Sequence, residues 1–237
     1  MNLLSDTIAY VTPFCRYQAA NIGTSNMPII GIANIVRNIV LAAPFTWRFN
    51  RNNVNLTGPV IQGTQDYTQL ISDFGFLEKA TANDGTKTFE FKDVKNNEAL
   101  ASSVTTGRPE VISAFNDDLA GNITFRLSAV PDKSYTVNMV YQKAPVQFTS
   151  TTNSWFPIPD SFSDVYNNLS LGYFMDSCQD PRAPQYIARG IAGLLARSQG
   201  LTAMDKALFA ASYLNFSAQQ MLEMLKTQQG VQAQAGR

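Results

Sequence analysis

The chain has 237 residues, with 18 Lys and Arg, 18 Asp and Glu, and no His, so its formal net charge is zero. The lack of histidine excludes Ser-His-Asp and Cys-His catalysis and HExxH zinc sites, because each needs a group that titrates near neutral pH. The two cysteines, Cys15 and Cys178, are too few for a disulfide framework or a cysteine metal cage. We therefore expect buried thiols in a reducing compartment, and no cofactor.

The charges are spread unevenly along the chain. Residues 1–52 carry four basic groups and one acidic group, residues 53–153 carry eight and eleven, and residues 154–237 carry six of each. No segment is basic enough to bind phosphates by counterion release, so a conventional nucleic-acid-binding domain is not expected. The first residues have no basic stretch before an apolar one, so we expect no secretory signal. The most apolar run, residues 27–45, contains Asn34, Arg37 and Asn38 at helical spacing. This run predicts an amphipathic helix and no membrane span.

The first predicted helix begins near Pro28, after the capping candidates Thr24, Ser25 and Asn26, and stops before Pro44. No element is assigned to residues 1–25. From about residue 50 the apolar periodicity changes to two, which predicts half-buried antiparallel strands. Strands at 122–129 and 134–142 flank the turn residues Pro131-Asp132-Lys133, so we expect them to form a hairpin.

Helical spacing returns after residue 153. It predicts three helices at about 161–178, 184–199 and 203–228, the last capped by Thr202 with Asp205 three residues on. The middle helix has little side-chain bulk along one side, which would let another backbone approach; its small residues are Ala188, Gly190, Ala192, Gly193 and Ala196. The Gln-, Ala- and Gly-rich tail, residues 229–237, is predicted to be flexible.

The order of helix, strands and helices predicts an α+β fold with segregated parts. A helical bundle domain would comprise residues 1–53 and 154–228, and residues 54–153 would form an inserted antiparallel β module.

Possible catalytic sites are few. Asp117 and Asp118 could form a glycosidase pair, but adjacent residues on a strand point to opposite faces, and a plain turn before the strand at Asn122 is the favoured interpretation. The sequence offers no base that could activate Ser198 as a nucleophile, and its surroundings are typical of a helix C-terminus. Neither phosphate-binding pattern, GxxxxGK(S/T) or GxGxxG, occurs. We therefore expect no enzymatic activity and no metal site.

Two tryptophans, Trp47 and Trp155, stand at the junctions between the helical and β parts. They could form a ligand platform, but filling a seam between packed modules is the favoured interpretation.

The last predicted helix is apolar on two nearly opposite faces. A helix of this kind must be covered on both sides, either as a central bundle helix or through an intermolecular contact. The first face carries Met204, Ala207, Leu208, Ala211, Leu214, Ala218, Met221, Leu222 and Leu225, and the second carries Phe209, Tyr213 and Phe216.

Several short motifs follow the first helix in a defined order. They are Phe45-Thr46-Trp47-Arg48-Phe49, Asp66-Tyr67, Gly107-Arg108-Pro109 before a strand at 111–115, Ala129-Val130-Pro131-Asp132-Lys133-Ser134-Tyr135 leading into Val140-Tyr141-Gln142-Lys143-Ala144-Pro145, and Ile158-Pro159-Asp160-Ser161-Phe162-Ser163-Asp164-Val165-Tyr166. Their order and spacing resemble the head-to-tail adaptor proteins of tailed bacteriophages, the family that includes the tail tubular protein A type of podophages.

The resemblance implies a non-enzymatic structural protein of the virion neck, made in the host cytoplasm. It would form a twelvefold ring below the portal protein, extend the channel for DNA ejection without sequence-specific DNA binding, and receive the tail (nozzle) proteins. It also implies a portal contact through the C-terminal segment, in agreement with the aromatic stripe and the Gln-rich tail. The candidate interface residues are Phe209, Tyr213, Phe216, Gln228, Gln229 and Arg237.

Two alternatives stay open. One is another phage tail or minor head structural protein. The other is a tail-associated protein that binds or hydrolyses glycans, which would place exposed aromatic residues and carboxylates in one groove of the β part.

Overall fold

The computed structural model describes residues 2–14, 28–92, 105–118 and 120–214. Within these ranges the chain has five helices and nine strands, which confirms the predicted α+β class. It divides into a helical unit, Met1–Phe49 with Pro145–Arg237, and a β unit, Asn50–Ala144. The β unit thus begins earlier and ends earlier than the predicted module 54–153. The reason is that residue 51 already starts a strand, whereas Phe148 is buried in the helical core.

The helical unit is built from α1 (Leu4–Val11), α2 (Pro28–Leu41), α3 (Ser163–Ser177), α4 (Ala183–Arg197) and α5 (Ala203–Leu214). The predictions of α2, α3 and α4 are confirmed, and α5 is confirmed as far as residue 214. The capping candidates 24–26, the rest of the predicted helix 203–228 and the tail 229–237 lie outside the described residues.

Helix α1 was not predicted from the sequence. Its residues Leu4, Thr7 and Val11, spaced three and four apart, are buried, and the Asp6 carboxylate accepts the Leu3 N–H at its N-terminus (2.7 Å). The segment after the β unit holds this helix, since the Leu4 N–H donates to the Asn153 carbonyl (2.9 Å). The helix has only eight residues and buries a threonine between two apolar residues, so few apolar positions mark it in the sequence.

Glycines allow α3 and α4 to pack closely, as predicted for the small side of α4. A Cβ added at Gly190 would lie 2.5 Å from Leu169 Cγ, and one added at Gly172 would lie 2.8 Å from the Ile187 backbone nitrogen. Both distances are shorter than real carbon contacts, so only glycine fits at this spacing.

The two tryptophans lie in the core of the helical unit. Trp155 is fully buried, stacks on Tyr166 with ring centroids 4.3 Å apart, and donates its indole N–H to the Thr7 hydroxyl (2.9 Å). Trp47 stacks on Phe45 and Phe49 at 5.4 and 5.6 Å. Neither ring therefore forms an exposed ligand platform.

The strands of the β unit are β1 (Arg51–Asn55), β2 (Asp66–Leu70), β3 (Phe74–Asn83), β4 (Thr88–Glu90), β5 (Thr106–Gly107), β6 (Ile112–Asp117), β7 (Asn122–Leu127), β8 (Val130–Pro131) and β9 (Thr136–Lys143). Antiparallel sheets have the orders β1-β9-β3-β4 and β2-β7-β6, and β5 pairs with β8 in parallel. The predicted alternation is confirmed on β7 and β9, whose inward residues are Ile123, Phe125, Leu127, Val137, Met139 and Tyr141.

The predicted hairpin between the strands at 122–129 and 134–142 is wrong. β7 pairs with β2 and β6, whereas β9 pairs with β1 and β3 in the other sheet. The turn residues instead pass the chain between sheets: the Pro131 carbonyl accepts the Gly63 N–H (3.1 Å), and Val60 bridges to Tyr135. Backbone pairings with residues distant in sequence thus replace the predicted tight turn.

The prediction of buried thiols is wrong for Cys178, which is exposed. It follows the last residue of α3, where the chain turns away from the core. Cys15 lies outside the described residues.

Candidate interaction surfaces

Of the six candidate portal-interface residues, the structure places two. Phe209 and Tyr213 lie on α5, whereas Phe216, Gln228, Gln229 and Arg237 lie outside the described residues. Helix α5 is therefore the element on which the predicted contact is assessed.

The start of α5 is fixed by side-chain hydrogen bonds. The Thr202 hydroxyl donates to the Asp205 carboxylate (2.7 Å) and accepts the Asp205 N–H (3.1 Å), which confirms the predicted cap. The Lys206 ammonium donates to the Leu195 carbonyl near the end of α4 (3.1 Å). A cation at this position also interacts favourably with the dipole of α4.

The aromatic face of α5 is turned toward the helical core. Phe209 packs edge-on against the buried Phe45, with ring centroids 4.7 Å apart, and lies 4.9 Å from Tyr213. Burial raises the pKa of Tyr213. Burial and the nearby Tyr213 and Asp176 raise the pKa of Tyr173 to about 12. Phe209 and Tyr213 thus pack within the chain, and a contact with the portal stays a prediction.

The opposite face of α5 is open. Met204 and Leu208 each expose 50 % of their surface, whereas Ala207 and Ala210 are fully buried. Helical spacing predicts Ala207 on the same stripe as Met204 and Leu208. That stripe spans too wide an arc for one surface, and the structure divides it between the core and the exterior.

Further apolar side chains are exposed on other parts of the helical unit. Phe14 follows α1 and contacts Tyr10 and Tyr186, with ring centroids 5.8 and 6.0 Å away. Large hydrophobic residues with more than a third of their surface exposed are Leu3, Tyr10, Phe14, Ile35, Val146 and Phe156. Several elements of this unit thus offer apolar contact area.

Arg37 is a buried charge within the helical unit. Its guanidinium donates to the Phe156 carbonyl and lies 4.7 Å above the Phe148 ring, and burial lowers its pKa. Among the described residues no carboxylate forms an ion pair with it. Helical spacing predicts Arg37 on the polar face of α2. Its side chain is instead buried, and its hydrogen bond holds the segment that carries the exposed Phe156.

In the β unit, an ion pair and an aromatic ring lie side by side on the exposed face of the three-stranded sheet. Asp66 accepts two hydrogen bonds from Arg126, each 2.7 Å, and these bonds lower the pKa of Asp66. The Arg126 guanidinium lies 3.8 Å above the ring of Phe115. The exposed Leu70 lies on the same face, at the other end of β2. The motif residue Asp66 therefore orders a surface of this sheet.

The residues weighed as catalytic have structural roles. Asp118 closes the turn before β7, because its carboxylate accepts the N–H groups of Ala120 and Asn122, each at 2.9 Å. Ser198 is buried just after α4 and donates its hydroxyl to the Leu195 carbonyl (2.7 Å). The turn predicted before Asn122 and the helix end predicted at Ser198 are confirmed, whereas Asp117 is the last residue of β6.

Within the described part of the chain, no cluster of three or more Cys, Asp or Glu side chains could hold a metal ion. No helix there has the length and hydropathy that a bilayer crossing requires.

No protein-family model matches the sequence, and no curated protein matches it significantly.

Proposed function

We propose that this protein is a structural virion protein of a tailed bacteriophage, a head-to-tail adaptor that forms a twelvefold ring below the portal. In this role it extends the DNA channel, provides the attachment site for tail proteins and catalyses no reaction. It works in the neck of the virion and assembles there from the host cytoplasm.

One contact carries the proposal. Two of the motifs that resemble the adaptor family are far apart in sequence, yet they meet in the helical core. Phe162, from the loop before α3, lies edge-on to Trp47 and Phe49 of the aromatic segment, with ring centroids 5.2 and 5.5 Å apart. Motifs that resemble those of a family, and whose side chains pack on one another, support the resemblance better than motif order alone.

The surface of the helical unit also favours a role in assembly. A closed ring needs two different, complementary patches on every subunit. Exposed apolar side chains occur on α5, at Phe14 after α1 and at Phe156 in the loop before α3. The chain is only 15% charged, which suits large subunit contacts from which charged groups are depleted.

The charges of the β unit favour a channel that does not hold DNA. Adding Arg51 to the eight basic groups of residues 53–153 gives nine basic against eleven acidic groups over residues 50–144. Basic side chains that form ion pairs with carboxylates are Arg51, Lys92, Arg108, Arg126 and Lys133. A weakly acidic surface with paired cations repels a duplex and lets it slide.

Binding assays distinguish the candidate functions. The purified protein is sedimented with and without purified portal assemblies, and separately with cell-wall fragments. An adaptor is expected to co-sediment with the portal and not with the fragments. Binding to cell-wall fragments alone would favour the glycan-binding alternative. Binding to neither would remove the adaptor proposal and leave another tail or minor head protein.

A further inference from the structure

An aromatic surface lies where the chain leaves α1 and meets the start of α4. Tyr10 and Phe14 each expose 37 % of their surface, and the Phe14 ring contacts those of Tyr10 and Tyr186. The guanidinium of the exposed Arg189 lies 5.5 Å from the centre of the Tyr186 ring. Among the described residues no carboxylate forms an ion pair with Arg189. These four residues, the aromatic patch, therefore combine accessible rings with an unpaired positive charge.

A second apolar surface lies on α5. Met204 and Leu208 each expose 50 % of their surface and lie one turn apart. Asp205, which is also exposed, neighbours both of them on the helix. Its Oδ2 atom takes part in the cap with Thr202, whereas no described residue donates a hydrogen bond to its Oδ1 atom. These three residues, the α5 patch, combine apolar area with a negative charge.

The two patches lie at separate places on the helical unit. Tyr186 belongs to the first turn of α4, whereas α5 is bonded to the end of α4 through Lys206 and the Leu195 carbonyl (3.1 Å). At 1.5 Å per residue, Tyr186 and Leu195 are roughly 13 Å apart along the helix axis. One neighbouring copy can therefore contact the first patch while another contacts the second.

We propose that the aromatic patch of one copy docks on the α5 patch of the next copy, so that every copy uses both patches. Opposite charges favour this pairing, because it brings Arg189 to Asp205 while the rings meet Met204 and Leu208. Pairing of either patch with itself would place like charges together, Arg189 against Arg189 or Asp205 against Asp205. Tyrosine and arginine are also the residues that most often dominate the binding energy of protein interfaces.

This inference rests on the proposed ring and supplies the two patches that it needs. A contact between two different patches is heterologous, and its repetition closes a ring when the rotation between copies permits. The two proposals are nevertheless tested apart. Co-sedimentation of the wild-type protein with the portal tests the adaptor function, whereas self-association without the portal tests this contact.

Sedimentation equilibrium of the full chain over a wide concentration range measures the contact. We expect weak self-association of the wild-type protein. Arg189→Asp, which changes the aromatic patch, and Leu208→Asp, which changes the α5 patch, should each raise the dissociation constant at least about tenfold. Arg48→Asp and Val146→Asp make the same changes at exposed residues elsewhere in the helical unit, and they should leave it unchanged.

A mixture of the two patch variants shows whether different patches meet. The Leu208→Asp variant keeps its aromatic patch, and the Arg189→Asp variant keeps its α5 patch. These two intact patches can bind each other, but the product has no further pair of intact patches with which to grow. We therefore expect one-to-one dimers with the dissociation constant of the wild-type contact.

Four results would overturn the proposal. They are a wild-type protein that is monomeric at every concentration, an association that either patch variant leaves unchanged, a mixture that associates no better than its two components alone, and a patch variant whose melting temperature falls at low concentration. The last result would assign the changed side chain to packing within its own chain.

Discussion

Gly172 determines how closely α3 can approach α4. A Cβ at this position would lie 2.8 Å from the Ile187 backbone nitrogen and 2.6 Å from Ile187 Cγ1. Because backbone cannot move aside as a flexible side chain can, we expect Gly172→Ala to lower the free energy of unfolding by roughly 1–3 kcal/mol. Urea denaturation of both proteins measures this difference.

Gly31 provides the matched control. It is an exposed glycine in α2, and a Cβ added there would meet no atom within 4 Å. Gly31→Ala should raise stability by about 0.5–1 kcal/mol, because alanine is the better helix former. Equal losses for both variants would mean that close packing of α3 on α4 is not the cause.

Two buried tyrosines, Tyr135 and Tyr141, and the half-buried Tyr173 make stability depend on alkaline pH. Burial raises the pKa of Tyr135, Tyr141 and Tyr173 from 10.0 to about 12, and hydrogen bonds to Asp132 and Asp73 add to the shift at Tyr135 and Tyr141. The folded state therefore holds these protons more tightly than the unfolded state. Their contribution is complete below pH 10 and is lost as the pH rises toward 12.

Denaturation at about pH 8 and about pH 11 measures this loss. The wild-type protein should be less stable at the higher pH. The triple variant Tyr135→Phe, Tyr141→Phe, Tyr173→Phe should show a smaller difference between the two values. A pH dependence as steep in the variant as in the wild type would assign the loss to other groups.

At the scale of elements, α5 combines one face that packs on the core with one that does not. Phe209→Ala should lower the free energy of unfolding by about 2 kcal/mol, less than the ~3–5 of a fully buried phenylalanine, because the ring is only partly buried. Leu208→Ala, on the exposed face one residue earlier, should change it by less than about 0.5 kcal/mol. Thermal melts at low protein concentration compare the two. Equal effects would show that α5 is not oriented as described.

The portal contact is tested separately. Tyr213→Ser with Phe216→Ser is compared with the wild type by melting temperature and by portal binding. A normal melt with lost binding would support the interface. A melt lowered by many degrees, with both properties lost, would assign these residues to the core and contradict the interface.

The same elements show what the sequence could predict. Helices α2 and α4 each have a long apolar face, whereas α3 buries residues on several sides. Proline or glycine marks the ends of all three helices, so their positions could be predicted from the sequence. The partners of β7 and β9 could not, because alternation specifies which face of a strand is buried and not which strand lies beside it. The inward side of α5 was also missed. Two apolar faces give the same periodicity, and the choice depended on Phe45, which is distant in sequence.

At the scale of the whole molecule, the β unit begins and ends on neighbouring strands. Strand β1 pairs with β9, and the Asn50 side chain donates to the Lys143 carbonyl (2.9 Å), so the two ends of the unit lie side by side. A fragment of residues 50–144 has its own buried core, and we expect it to fold cooperatively.

The fragment with the boundaries predicted from sequence, residues 54–153, is the comparison. This fragment lacks most of β1. It also contains Phe148, which is buried in the helical core of the full chain and would lose that environment. We expect a lower melting temperature for it, measured by circular dichroism. If residues 54–153 melted at or above the temperature of residues 50–144, the unit boundaries described here would be wrong.

Electron microscopy of the purified protein, with and without purified portal assemblies at one concentration, tests directly whether this protein is an adaptor. We expect monomers or weakly associated particles without the portal, and twelvefold rings docked on the portal when the two are mixed. A protein that forms no ring on the portal, and leaves the portal particles unchanged, would contradict the proposed function.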